Sequence, residues 1–226
     1  MLEKLKIKTK IYNLSLLFAI FSIFIFVKVS SEKLFNLRNL LGVYEITITV
    51  KGKGTRQIIN DKAIEIYDSI SNRKKNYRFN YMPSEILVNG ESVDYIGYYV
   101  YNLTEEENNI TIKFDTTIEN CDVMFYGLEN ILKIDCSQFD TSQIRSMKGM
   151  FYSCKILESL NLRNFDTSSL TDMGEMFREC GSLTSLDLTS FNTMNVIDME
   201  HIFNIFSKKY GKNVYELQSN NIIRFK

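Results

Sequence analysis

The chain reads as an α/β solenoid, a pile of short units each made of a parallel strand and a helix, behind a mostly β amino-terminal cap and a signal or anchor helix. Three observations predict this. Met-Phe pairs open blocks at Met124-Phe125, Met150-Phe151 and Met176-Phe177, with Ile202-Phe203 in register behind them, a period of 26 residues. The blocks from Met150 and Met176 share 11 of 26 identities, where ordinary composition gives roughly two. Within each block the apolar period changes from two to three-and-four. A period of this length signifies stacked units that share one core.

Each element has its own warrant. In Leu157-x-x-Leu160-x-Leu162 and Leu183-x-x-Leu186-x-Leu188 the last two leucines are two apart, so they share one face of a short strand. Leu170-x-x-Met173-x-x-Met176-Phe177 is spaced like one apolar stripe of a helix, and Ser169 with Asp172 forms a capping-box pattern at its start. Phe114-Asp115-Thr116 echoes Phe139-Asp140-Thr141, which makes Ile110-x-Ile112-x-Phe114 the expected first strand of the stack. After Phe203 the register fails, with Lys209, Lys212 and Val214 at the positions due for apolar strand residues.

Ahead of the repeats the chain reads as β. Tyr44–Val50 alternates and runs into a turn at Lys51-Gly52-Lys53-Gly54. Glu85–Val88 meets Asn89-Gly90, a strong hairpin signal, and the chain resumes toward a strand at Tyr98–Tyr101. Asp61–Ser71 has the spacing of a short amphipathic helix with an Asp cap. The expected organisation is therefore 1–31 signal peptide or anchor, 32–109 β-rich cap, 110–203 repeats with units from 124, 150 and 176, and 204–226 an irregular carboxy-terminal cap.

Lys4, Lys6, Lys8 and Lys10 precede 17 uncharged, mostly apolar residues from Ile11 to Val27. That run is short for a bilayer core of ~30 Å and long for a signal peptide. Cleavage after Ser31 is the preferred reading and a retained type II anchor with a cytoplasmic amino end the alternative. Either one predicts a secreted or cell-surface location, with membrane contact only through this segment.

The formal charge is zero, yet the leader holds five lysines and one glutamate, which leaves 22 basic and 26 acidic side chains beyond it. A nucleic-acid partner, which needs a basic stripe, is disfavoured. There is no tryptophan, and His201 is the single histidine, which restricts imidazole chemistry. His201 stands at the repeat position of Gly149 and Glu175 and is expected to be an exposed helix residue. Lys51-Gly52-Lys53-Gly54-Thr55 lacks the spacing of a phosphate loop.

Cys154 and Cys180 occupy one repeat position, where either a disulfide or buried thiols would fit, and burial is favoured. Asp115, Asp140, Asp166 and Asn192 form a column with too few oxygens for calcium, and are expected to bond turn amides. No metal or cofactor is expected. Asn102 and Asn109 head glycosylation sequons in a predicted polar loop, while Asn13 lies inside the apolar run. Tyr95, Tyr98, Tyr99 and Tyr101 read as strand packing in preference to an aromatic platform.

The full pattern, Met-Phe-x-x-Cys-x-x-Leu-x-x-Leu-x-Leu-x-x-Phe-[Asp/Asn]-Thr-x-x-[Leu/Val]-x-x-Met, resembles the 26-residue surface-protein repeat of the BspA-like leucine-rich-repeat family over Ile110–Phe203. The stretch Asn102–Thr111 also resembles leaders of such proteins. The resemblance implies a leucine-rich-repeat-like solenoid, secreted or surface-anchored, associated with adhesion and without enzymatic activity. Phe139, Phe165 and Phe191 stand where ordinary leucine-rich repeats carry a ladder asparagine, so a Phe spine is expected instead.

The leading expectation is a non-enzymatic binding protein for an extracellular protein, matrix or cell-surface ligand. Its contact surface would be the outward strand face: Lys133, Asp135 and Ser137, then Ser159, Asn161 and Arg163, then Ser185, Asp187 and Thr189. The alternatives are a luminal type II enzyme of glycosyl-transfer type, although no Asp-x-Asp motif occurs, and a purely structural coat component.

Overall fold

The computed structural model describes residues 44–203 and the backbone of 222–224. The apolar run 11–27, both fates proposed for it, and positions 209, 212 and 214 lie outside the described residues. Among the described residues there is no helix, and none is long and apolar enough to cross a membrane. The α/β solenoid of strand plus helix is therefore corrected to an all-β architecture.

Strand β1 (Tyr44–Lys51) buries Tyr44, Ile46, Ile48 and Val50 and turns Glu45, Thr47, Thr49 and Lys51 outward. Each fully buried aliphatic side chain contributes about 1.5–3 kcal/mol. The turn at Lys51-Gly52-Lys53-Gly54 forms, but β2 (Gly54–Gln57) pairs with β8 (Tyr99–Leu103) and not with β1. The helix expected over Asp61–Ser71 is instead a hairpin of β3 (Ile64–Asp68) and β4 (Arg73–Tyr77). Its β-branched residues suit a strand, and Asn72, with φ of 53°, supplies the left-handed turn residue. The Asn89-Gly90 hairpin joins β5 (Glu85–Val88) to β6 (Glu91–Ser92), with φ of 52° and 92° at its two turn residues. Strand β7 (Tyr95–Ile96) completes a small sheet with β8 and β2.

Strand β9 (Glu107–Phe114) contains Ile110, Ile112 and Phe114, all buried, yet it is not the first rung of the stack. It runs antiparallel to β1 and β5, and β1 separates it from β10 (Ile131–Gln138). With β11 at Ser159–Asn161, the six-stranded sheet has the order β11-β10-β1-β9-β5-β6, and β1 covers an edge of β10 that the repeats would otherwise expose. Parallel pairing begins between β10 and β11, with Lys133 opposite Ser159, Ile134 opposite Leu160 and Asp135 opposite Asn161. Strand β12 (Ser185–Asp187) is paired on its far side by antiparallel β13 (Ile222–Arg224). Leu160 and Leu186 lie in the same buried cluster.

The second half of each unit is a ribbon of turns. Its amides donate to the neighbouring rung and not four residues back: Val123 N to Lys148 O at 3.0 Å, Gly149 N to Gly174 O and Glu175 N to Glu200 O at 2.9 Å. Single parallel bridges link Asn120, Ser146, Asp172 and Asp198. Helix is ruled out locally because Val123, Gly149, Glu175 and His201 all have φ between 52° and 59°, and Gly127, Ser153 and Glu179 repeat the left-handed turn four residues on. The Ser169–Asp172 pattern starts no helix, since Asp172 Oδ1 accepts from its own Gly174 amide at 2.9 Å.

Two aromatic columns fill the stack. Phe125, Phe151, Phe177 and Phe203 lie face to face at 5.8, 5.8 and 5.7 Å between successive rings. Phe165 stacks on Phe191 at 5.9 Å, whereas Phe139 meets Phe114 and Tyr44 edge-on, where the repeats join the antiparallel strands.

Candidate functional site

The nine residues expected on the outer strand face are all exposed or half-exposed. They stand on β10, β11 and β12 and just beyond, because the leucines and isoleucines that alternate with them point into the core. The middle residue of each rung organises a turn: Asp135 Oδ1 accepts from Ser137 N, Asn161 Oδ1 from Arg163 N, and Asp187 Oδ1 from Thr189 N. Asn161 Nδ2 also donates to Asp135 Oδ1 at 3.1 Å, tying two rungs together. The Asp135 carboxyl is pushed up by burial, but the Ser137 and Asn161 hydrogen bonds and the Arg163 charge outweigh that and hold it below the usual range. The Thr189 hydroxyl and amide lower Asp187 in the same way. Through Thr47 beside Asp135, Thr111 beside Thr47 and Leu87 beside Thr111, the central row continues across the six-stranded sheet.

Elsewhere the expected turn chemistry is present for most of the aspartate column. Asp140, Asp166 and Asn192 each accept from the amide two residues on, and Thr141 and Thr167 link successive rungs through their hydroxyls. No group of side chains able to hold a metal occurs among the described residues. All four cysteines are buried thiols; Cys154 and Cys180 donate to Phe125 O and Phe151 O at 3.0 Å. Burial pushes the Cys154 thiol up to about 12, so it is not an anionic nucleophile.

His201 is exposed as expected, but in a left-handed turn and not on a helix, with Nε2 3.4 Å from Glu200 Oε1. Asn109 does not lie in a loop; it sits inside β9, opposite Thr49. Asn102 is exposed within β8. Tyr95 and Tyr98 hydroxyls donate to the backbone of Pro83 and Tyr81, while Tyr99 and Tyr101 border an open cleft of about 580 Å³ beside Asp61 and Arg78.

The turn side holds a group that sequence reasoning missed. Lys148, 1% exposed, reaches past Gly174 to place Nζ 2.6 Å from Asp198 Oδ2 and 3.7 Å from Asp172 Oδ1. A Cβ on Gly174 would sit 2.7 Å from that Nζ, so glycine makes the room. Tyr77 of β4 covers the ammonium at 5.8 Å from ring centre, and Asp122 Oδ1 accepts from Ser146 Oγ and from the Lys148 amide. Burial raises Asp122 and raises Asp172 to about 6. For Asp198 burial acts upward too, but the Lys148 hydrogen bond and the Glu200 amide hold it low. The one sequence signal was a lysine at the repeat position that Gly174 and Glu200 fill in later units.

No curated protein and no solved structure matches this chain. Residues 100–226, which take in β9, all of the stacked units and the strand β13 that pairs with the last of them, match the family described as Mycoplasma protein of unknown function, DUF285, and the chain belongs to that family.

Proposed function

We propose that the protein is a non-enzymatic binding protein of the BspA-like leucine-rich-repeat type, secreted or held at a cell surface, that presents its outer strand face to an extracellular protein or matrix ligand. The observation that carries this reading is the row Asp135–Asn161–Asp187 with Arg163 beside it. These are polar side chains fixed by turn and inter-rung hydrogen bonds yet left open to solvent. Side chains already held in place lose little freedom on binding. The face has no large aromatic anchor, so each contact is weak and affinity comes from many copies at a surface. The thiols, protonated in the core, support a binding role over nucleophilic chemistry.

The test is binding of the exported chain to a panel of matrix proteins and glycans, compared with a variant carrying alanine at Asp135, Asn161, Arg163 and Asp187. Loss of at least about tenfold in affinity, equal to about 1.4 kcal/mol, is expected for the ligand that binds. Unchanged binding by the variant would remove this face as the site.

A further inference from the structure

The Lys148–Asp198 contact is unusual in what surrounds it. Both side chains are 1% exposed, their heavy atoms are 2.6 Å apart, and a second carboxyl stands 3.7 Å from the same nitrogen. Two partners come from other elements: Tyr77 closes one side, and Ser69, between β3 and β4, hydrogen-bonds Asp198. Desolvating an ion pair this completely carries a large free-energy cost. A neutral product of the same two groups would relieve that cost.

We propose that Lys148 and Asp198 condense to an intramolecular amide, with Asp172 as the proton relay. The pair rests ionised, with Asp198 held low and Lys148 held high, against burial, by their mutual contact. The reactive state is the minor one in which one proton has moved from Nζ to Asp198 Oδ2 along their hydrogen bond, giving an amine and a carboxylic acid. The amine lone pair then attacks Asp198 Cγ and forms the C–N bond. Asp172 takes a proton from the attacking nitrogen and returns it to the hydroxyl that departs. The C–O bond breaks, one water leaves, and Asp172 ends as it began. No oxidant, reductant or external acyl donor is needed.

Three features favour the step. Holding amine and carboxyl in contact replaces a bimolecular encounter with a unimolecular one. Burial brings Asp172 to about 6, so it exchanges a proton near neutrality. A site this dry opposes the reverse hydrolysis. The product would join two rungs across a third, in a stack whose described cysteines form no disulfide.

The experiment is peptide mapping of the full chain after folding, by tandem mass spectrometry. The expected result is a branched peptide that contains both Lys148 and Asp198 and is lighter by one water than the two unlinked segments. Asp172→Asn, checked for folding by circular dichroism, is expected to slow formation at least about a hundredfold. Lys148→Arg is expected to abolish the branch. Separate, full-mass Lys148 and Asp198 peptides from the folded wild-type chain would overturn the proposal and leave a buried ion pair. A one-water deficit confined to the Asp198 peptide, as a backbone succinimide gives, would overturn it too.

Discussion

The two sides of the stack repeat with one period but place their polar groups in opposite regimes. On the strand side, Asp135, Asn161 and Asp187 form a ladder that water reaches. On the turn side, Asp122, Lys148, Asp172 and Asp198 form a ladder roofed by the β3–β4 hairpin. A charge on the first side faces a high dielectric and is replaceable; a charge on the second depends on its partner. The same kind of sequence position therefore stays open to solvent on one side, as the proposed recognition face requires, and is cohesive on the other.

The largest effect that would test this contrast lies between the two sides. Phe151 is covered on both faces by Phe125 and Phe177, and Phe151→Ala is expected to cost about 3–5 kcal/mol in urea unfolding. A loss under about 1 kcal/mol would mean that the aromatic column is not the axis of the core. Next, Lys148→Met strands Asp198 and is expected to cost about 3 kcal/mol, measured the same way.

Asp172 sharpens the comparison through pH. Its folded-state affinity for a proton, raised to about 6 by burial, exceeds that of an unfolded carboxyl. The stability it gives is present at acid pH and is lost as pH rises through about 6. In a Lys148→Arg background, where no amide forms in either protein, Asp172→Asn keeps the oxygen that accepts from the Gly174 amide, and is expected to stabilise the fold by on the order of 1–2 kcal/mol at neutral pH and by nothing near pH ~4. A difference between the two proteins that does not change across that range would refute the assignment. On the strand side, Arg163→Ala is expected to move stability by no more than about 0.5 kcal/mol while weakening ligand binding. A larger loss of stability would place that face among the cohesive parts.

Much of this was readable in advance, and the misreadings have definite causes. Strand β1 and the Asn89-Gly90 hairpin follow from period-two alternation and turn chemistry. The outer face was legible because a strand fixes which side chains point away. The helices were wrong because three-and-four spacing also describes a ribbon that turns every three or four residues. Its left-handed positions fall on Val123, Glu175 and His201, residues that give no glycine signal. The place of β1 between β9 and β10 depends on pairing between residues 56 to 93 positions apart, which no local pattern encodes. The Lys148 cluster needs a side chain to reach two rungs, and a repeat alignment compares positions within a rung.

The inter-rung hydrogen bonds carry one more consequence. Each turn ribbon offers the same donors on one side and the same acceptors on the other, so every junction is interchangeable in its backbone. Lengthening or shortening such a gene by whole 26-residue periods would leave each seam intact, whereas a slip of one codon would bring a left-handed position against the wrong neighbour. Unequal recombination in frame with that period is thus a tolerated route to variants of different reach, limited by the two-rung span from Lys148 to Asp198.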